Sequence, residues 1–271
     1  MDAADQKNSL DAQDENDELA SFGFKDVDRS AKSGLVREVF DSVADRYDLM
    51  NDLMSAGVHR IWKSTLMDRL APQPGRTVLD MAGGTGDIAQ SYLRRAKERD
   101  TSNATVGARA IICDINHSML TVGKGRTDQF RKDENDLSWI CGDAEAIPLP
   151  DNSVDAYIIS FGIRNVTNID KALSEAFRLL KFGGRFFCLE FSEPIVGPLR
   201  TIYDTYSFNV IPPLGEAVTG DRESYQYLIE SIRRFPKQKQ FASMIEAAGF
   251  KRVAYENLSG GIAAIHTGAK V

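Results

Sequence analysis

Apolar and polar positions follow two alternating patterns along most of this 271-residue chain. Short continuous apolar runs, typical of strands buried on both faces of a sheet, are separated by stretches with helical spacing. The predicted strands are Thr77–Asp80, Ala110–Asp114, Ser138–Cys141, Ala156–Ser160 and Arg185–Phe191. The predicted helices are Asp87 to about Lys97, His117 to about Phe130, and Asp170 to Leu180, the last ended by Gly183 and Gly184. This alternation predicts an α/β fold with a mostly parallel sheet covered on both faces.

The amino-terminal region divides near residue 30. Residues 1–30 hold nine acidic and three basic side chains and little apolar content, so we predict a disordered acidic arm. Residues 31–75 instead predict two N-terminal helices, the first beginning near Ser33 and the second running from about His59 to Leu70. The first has an apolar face formed by Val36, Phe40, Val43, Ala44, Tyr47 and Met50.

Residues 193–236 break the strand and helix rhythm, because four prolines lie among aromatic and aliphatic residues. We interpret this stretch as a cap insertion. A last helix, Phe241 to Ala248, and a hairpin from Arg252 to about Ala269 then close the fold. With the hairpin, residues 31–271 are predicted to form a single domain around a Rossmann-like, seven-stranded, mostly parallel sheet.

Charge argues against a nucleic-acid partner. The net charge of -6 arises in the arm, and residues 31–271 carry 30 basic and 30 acidic side chains. Such a balance provides no bulk positive field for a phosphate backbone.

Cysteine and histidine are few and scattered. Cys113, Cys141 and Cys188 lie in apolar runs and are predicted to be small buried hydrophobes in a reducing compartment. His59, His117 and His266 have no metal-ligand spacing, so no metal site is predicted. The acidic amino terminus lacks the apolar core of a signal peptide, which favours a cytoplasmic protein.

A glycine-rich turn follows the first predicted strand, in the sequence Asp80-Met81-Ala82-Gly83-Gly84-Thr85-Gly86-Asp87. Glycines let the backbone approach a ligand, and the next helix begins with unpaired N–H groups. A dinucleotide site would have a third glycine where Ala89 stands, and the carboxylate of Asp80 would face a pyrophosphate. A methionine-derived cofactor with a cationic amino group fits better, so we predict S-adenosylmethionine, with S-adenosylhomocysteine as product.

Polar residues end the other predicted strands as well. Asp114 is placed to accept the two hydroxyls of a ribose, although a turn aspartate is the plainer alternative. Asp143 and Ala144 could line an adenine edge, and Ser160 would lie above the cofactor. The joint order of these groups is more specific than any one of them.

Two stretches resemble the ubiquinone/menaquinone biosynthesis C-methyltransferases, the UbiE family. Residues 47–62, YDLMNDLMSAGVHRIW, agree with the signature Y-D-x-M-N-x-x-[LIVM]-S-x-x-x-H-x-x-W at every fixed position. Residues 160–167, SFGIRNVT, are similar to the family's segment after the fourth strand. The resemblance covers about residues 35–270. It departs at Leu179 and Phe182, where the family usually has valine and proline.

The resemblance implies a class I methyltransferase that transfers a methyl group from S-adenosylmethionine to a ring carbon of a polyprenylated quinol. The residues that the resemblance implies at the cofactor are Thr85, Asp114, Asp143, Ala144 and Ser160. The glycine-rich turn itself adds Asp80, Gly83, Gly84 and Gly86 to the predicted cofactor-binding residues. The implied catalytic neighbourhood is Arg164, Asn165, Tyr47 and His59. We expect the Arg164 guanidinium to stabilise a phenolate, while water, Tyr47 or His59 carries the proton, because arginine is too basic to accept one.

Several alternatives stay open. The apolar residues of 195–214 would admit the prenyl tail or simply close the core. Peripheral contact with the inner membrane face, other enzymes of quinone biosynthesis, and a homo-oligomer are further hypotheses about partners. A methyltransferase for another small phenol or amine is the alternative activity, followed by a cofactor-binding module without catalysis and by an NAD oxidoreductase.

Overall fold

The computed structural model describes residues 19–43, 52, 55, 57–100, 107–128, 136–195 and 197–271. Strands β1 (Leu19–Phe22) and β2 (Lys25–Asp28) form an antiparallel hairpin. The other described strands are β3 (Thr77–Met81), β4 (Arg109–Asp114), β5 (Leu137–Cys141), β6 (Val154–Ser160), β7 (Leu180–Phe191), β8 (Lys251–Leu258) and β9 (Ala263–Ala269). These seven form one sheet, as predicted.

The strand order in the large sheet is β5-β4-β3-β6-β7-β9-β8. Strands β3 to β7 are parallel, and β9 runs antiparallel to both of its neighbours. The order reverses between β3 and β6, where a crevice forms at the carboxyl ends of the strands.

Nine helices are described: α1 (Arg29–Val43), α2 (His59–Leu70), α3 (Asp87–Glu98), α4 (His117–Asp128), α5 (Ile169–Leu179), α6 (Gly197–Asn209), α7 (Ile211–Thr219), α8 (Arg222–Arg234) and α9 (Gln238–Ala247). Helix α2 has the predicted bounds, and α6 to α8 lie within residues 193–236, the stretch interpreted above as a cap insertion. A 3-10 helix, Ile163–Asn165, follows β6.

Two apolar layers cover the sheet, one on each face. Val78 and Ile158 pack with α2 and α3, whereas their neighbours Leu79 and Ile159 pack with α5 and α9. Successive strand residues point to opposite faces, so continuous apolar runs are what a doubly covered sheet requires.

The predicted disordered arm is wrong for residues 19–30. The hairpin turns at Gly23, whose φ is +59°, and the Phe22 ring stacks on Tyr227 of α8 at 4.1 Å between centroids. The Arg234 guanidinium donates to the Phe24 carbonyl at 2.9 Å. These tertiary contacts order a segment whose acidic composition predicted disorder. Residues 1–18 lie outside the described residues.

Two smaller predictions are also corrected. Helix α5 ends at Leu179, before the glycines, because Leu180 is extended and pairs with Val154 of β6. Cys113 and Cys188 are buried, but Cys141 is exposed because β5 is an edge strand. Within the described part of the chain, every helix is too short or too polar to cross a membrane.

Candidate active site

A cleft opens at the carboxyl edge of the sheet and encloses about 770 Å³, counting space open to solvent. Its floor is formed by the turns that follow β3, β4 and β6 and by the segment after β5. Helix α1 covers one side. The predicted site residues on its wall are Gly84, Asp114, Asp143, Ala144 and Asn165. Asp80, Gly83, Thr85, Gly86 and Ser160 belong to the same turns and strand ends but do not line this cleft.

The glycine turn is closed by a hydrogen bond from the Gly86 N–H to the Gly83 carbonyl, at 2.8 Å. Gly86 has a φ of +83° and directly precedes α3, where a Cβ would meet Ile112 and Trp139 at 2.6 and 2.9 Å. A side chain at Gly86 would therefore be strained and crowded. The tight turn brings the first turn of α3 to the edge of the cleft.

Asp114 ties this turn to the end of β4. One carboxylate oxygen accepts from the Gly84 N–H and the other from the Asn116 N–H, both at 2.8 Å. Burial raises the pKa of Asp114, and the two backbone bonds oppose that rise. Each carboxylate oxygen has a second lone pair, so the group on the cleft wall can still accept from a diol.

Asp80 lies behind the turn and is 1% exposed. Its Oδ2 accepts from the Ala89 N–H in α3 at 3.1 Å, whereas Oδ1 has no hydrogen-bond partner among the described residues. Burial raises the pKa of Asp80 to about 7. A buried carboxylate with one oxygen unpaired suits a cationic donor, such as the amino group of a methionine-derived cofactor.

The remaining strand ends add a backbone turn and a hydroxyl. Asp143 accepts from the Glu145 N–H at 2.9 Å, and this turn places Ala144 on the cleft wall. Ser160 ends β6, and its buried Oγ has no partner among the described groups. Asp80 and Ser160 thus both hold an unpaired polar atom at the edge where a polar ligand is expected.

The turn after β6 presses against the glycine turn. Phe161 and Ala82 both have left-handed φ values, +58° and +53°, and both line the cleft. A Cβ on Gly162 would overlap with the Ala82 Cβ, so the two turns pack too closely for a side chain there. Asn165 follows on the 3-10 helix and accepts from the Tyr227 hydroxyl at 3.0 Å.

Arg164, predicted to belong to the catalytic neighbourhood, is absent from the wall of this cleft although its neighbour Asn165 is on it. Its Nη1 forms a buried ion pair with the Glu190 carboxylate at 2.7 Å and also donates to the Phe161 carbonyl at 2.6 Å. The guanidinium lines a second cavity and not the cofactor cleft. That Arg164 stabilises a phenolate stays a prediction, and the structure adds that Glu190 is its buried ion-pair partner.

The other two predicted catalytic residues lie apart from this cleft or outside the described chain. His59 is buried at the start of α2, with Nδ1 3.0 Å from the Ser55 Oγ and 3.7 Å from an Asp52 carboxylate oxygen. It is absent from the cleft wall. Tyr47 lies outside the described residues. Trp62 is packed between Phe161 and Phe191, consistent with a packing role.

Sequence reasoning missed much of the cleft wall. Helix α1 contributes an apolar surface through Val36 and Phe40, and α4 contributes Met119. Asn116 is buried and accepts from the Met119 N–H at 2.9 Å, which caps α4. The spacing of Asp114 and Asn116 could have indicated the cap, but no local signal shows that α1 faces a ligand.

Comparison with known proteins fits this geometry. The model of the ubiE/COQ5 methyltransferase family matches residues 27–270. The chain belongs to the ubiE/COQ5 methyltransferase family. It is an enzyme that transfers methyl groups, and the sequence-based assignment is confirmed.

Curated relatives of this methyltransferase extend over nearly the whole chain. The ubiquinone/menaquinone biosynthesis C-methyltransferase UbiE of Caulobacter vibrioides is 57% identical over 249 residues, covering 92% of this chain and 97% of that protein. A mitochondrial 2-methoxy-6-polyprenyl-1,4-benzoquinol methylase of Oryza sativa subsp. japonica is 56% identical, covering 93% and 88%.

A solved structure shows the same fold at lower identity. A SAM-dependent methyltransferase from Aquifex aeolicus superposes with a TM-score of 0.53 at 16% identity, covering 77% of this chain and 89% of that one. The class I methyltransferase fold predicted from the sequence is confirmed.

The contact between the two turns of this methyltransferase can be tested with Gly162→Ala. The added methyl group would overlap with Ala82, so we expect a loss of about 1–3 kcal/mol in unfolding free energy. Affinity for S-adenosylmethionine should fall too, since both turns line the cleft. Urea denaturation and calorimetry would measure these effects. The matched control is Gly34→Ala in α1, where nothing lies within 4 Å and a gain of roughly 0.5–1 kcal/mol is expected. Equal behaviour of the two variants would contradict the packing argument.

The Arg164–Glu190 pair can be tested by removing one charge or both. Arg164→Met leaves a buried carboxylate without its cation and should cost about 3–5 kcal/mol of stability. The double variant Arg164→Met/Glu190→Leu should regain most of that loss, because no charge is left unpaired. Urea denaturation gives both values. If the double variant lost the sum of the two single losses, the residues would not be coupled.

Proposed function

We propose that this methyltransferase uses S-adenosylmethionine to methylate a ring carbon of a polyprenylated quinol in ubiquinone/menaquinone biosynthesis. The substrate would be 2-polyprenyl-6-methoxy-1,4-benzoquinol, demethylmenaquinol, or both. The observation that carries the proposal is the family match over residues 27–270, joined to a polar strand edge that suits the donor. The names of the relatives at 56% and 57% identity support the choice of quinol.

The donor would lie along the carboxyl edge of the sheet. In this proposal Asp114 accepts the ribose hydroxyls, and Asp143 with Ala144 borders the adenine. Asp80 and Ser160, whose unpaired oxygens are buried at the strand ends behind the cleft wall, stay candidates for the amino end of the donor. Gly83, Thr85 and Gly86 would contribute indirectly, because they form the turn that places Gly84 on the cleft wall.

The bound donor supplies an electrophilic methyl group on a sulfonium. An electron-rich ring carbon must attack it, so the substrate should be the quinol and not the oxidised quinone. Ionising an adjacent phenol, with an ordinary pKa of about 10, costs about 4 kcal/mol at pH 7. The chain therefore has to stabilise a developing phenolate and exclude water around it.

Asn165 is the polar catalytic candidate best placed for this task. It lies on the cleft wall, and because Tyr227 donates to its side-chain oxygen, its amide N–H groups are oriented as donors. Those N–H groups could hold the substrate oxygen. Arg164 would act by fixing the neighbouring Phe161 turn through its bond to the Phe161 carbonyl. Tyr47 and His59 remain candidates for carrying the proton.

The proposal is tested by supplying the purified protein with labelled S-adenosylmethionine and a panel of demethylated quinols. We expect a ring-methylated quinol, identified by mass spectrometry, whereas a methyltransferase of another phenol or amine would give none.

Asp114→Asn should weaken donor binding about 10- to 100-fold in calorimetry, because one carboxylate acceptor becomes an amide donor. Asp151→Asn, an exposed aspartate paired with Arg178, is the matched control and should bind normally. Unchanged binding by Asp114→Asn would remove it from the donor site.

We also propose peripheral contact with a membrane, because a polyprenyl tail partitions into lipid. Three apolar side chains on or beside the cap support this: Ile195, Val210 and Leu214 are 65%, 42% and 37% exposed. The protein should sediment with vesicles that contain the quinol. The double variant Ile195→Ser/Leu214→Ser should reduce the fraction of protein bound to the vesicles several-fold. Phe182→Ser is the control, because Phe182 is an exposed apolar residue near the amino end of β7, at the opposite end of the strand from Ile195. No difference between the variants would exclude this face.

A further inference from the structure

A second cavity, of about 440 Å³ counting space open to solvent, lies beneath the β1–β2 hairpin. It shares Val166 and Thr167 with the cofactor cleft but none of the residues assigned to the donor. Three basic side chains line it, namely Lys32, Arg164 and Arg234. Among the described residues on its wall there is no aspartate or glutamate.

Lys32 is the cation with the least compensation in this cavity. It is 4% exposed, and its ammonium donates to the Val166 carbonyl at 3.0 Å. No carboxylate of a described residue lies within 4.0 Å of it. The pKa of Lys32 is lowered to about 8, mainly by burial; within that value the charge of Glu145 acts to raise the pKa and the charge of Arg29 acts to lower it. A buried ammonium held by one carbonyl is stabilised by a nearby anion.

The two arginines add hydrogen-bond donors to the wall, although each has a carboxylate partner. Arg164 is paired with Glu190, which is not on the cavity wall. Arg234 is near the surface, where it donates to the Phe24 carbonyl at 2.9 Å and lies 3.4 Å from an Asp26 oxygen. Guanidinium groups have several N–H donors each, so these contacts do not use them all.

We propose that this cavity binds a small oxyanion, a phosphate-type or phenolate oxygen group, between Lys32 and the two guanidinium groups. Ammonium and guanidinium donors form charge-assisted bonds to such oxygens, and the hydroxyls of Ser21 and Thr167 lie on the same wall. The neighbouring opening is lined by three carboxylates, Asp28, Asp143 and Glu145, and by one cation, Arg29, so it favours an anion less than the cavity does. The oxyanion is therefore expected on the Lys32 side of the Val166–Thr167 segment, in the second cavity. This site goes beyond the methyl transfer proposed above and needs no methyl donor.

Calorimetry of the full chain with inorganic phosphate, without S-adenosylmethionine, tests the site. We expect saturable binding with a Kd on the order of 1 mM, and at least about a tenfold loss in Lys32→Met. Because Lys32 is buried, Arg234→Met at the cavity mouth is a second variant and should also weaken binding. Lys25→Met changes an exposed lysine on the same hairpin and should leave binding unchanged. Absence of saturable binding, or equal binding by all variants, would overturn the proposal.

Phosphate added to the quinol methylation assay then identifies the source of the oxyanion. Competition with the quinol would mean that the cavity normally takes an oxygen of the substrate. Binding of phosphate without competition would mean that it takes a free oxyanion. A fall in thermal stability of Lys32→Met with unchanged phosphate affinity would instead indicate that Lys32 only holds Val166, which contradicts the site.

Discussion

Parallel pairing of β3 between β4 and β6 is the constraint on which the site depends. In this register Asp80 lies between Ile112 and Ile158, and the three chains leave the sheet at the same edge. Every turn that follows these strands must then share one crevice. The Asp114 carboxylate uses that closeness, because it joins the turn after β3 to the turn after β4 through two backbone N–H groups. The parallel register of β3, β4 and β6 therefore sets both the strand order and the meeting of polar turn residues at the cleft.

The sequence predicted what is local and missed what is tertiary. Strand ends, the glycine turn and α2 are encoded by neighbouring residues, so the sequence predicted correctly that Asp80, Asp114 and Asp143 lie at or just after the ends of strands. The partner of Arg164 is Glu190, 26 residues away on a strand that reads as apolar, and no spacing rule connects them. The hairpin was missed for a related reason. Its stability comes from the stacking of Phe22 on Tyr227, whereas its own composition predicts disorder.

Buried charges in this enzyme are of two kinds: those with an opposite charge in direct contact and those without one. The Arg164 and Glu190 charges lie 2.7 Å apart, so each has an opposite charge beside it and the pair can hold the left-handed Phe161 turn without a ligand, although burial raises the pKa of Glu190 and its Oε2 has no partner among the described residues. Asp80 and Lys32 have no opposite charge as close. Burial raises the pKa of Asp80 and lowers the pKa of Lys32, so it favours the neutral form of each. A fold retains a partly compensated buried charge at some cost in stability, and such costs are concentrated at functional sites. On this argument Asp80 and Lys32, more than Arg164, mark places where a ligand completes the structure.

The 3-10 helix Ile163–Asn165 links the generic part of the enzyme to its additions. On one side Asn165 borders the cofactor cleft, and on the other it is held by Tyr227 of the cap helix α8. The next residue back, Arg164, is bonded to Ser231 of the same helix. A shift of α8 would therefore move both a cleft residue and the support of the Phe161 turn. Since α8 also holds the hairpin through Phe22, the position of this one helix sets the hairpin, the Phe161 turn and a residue of the cleft wall together.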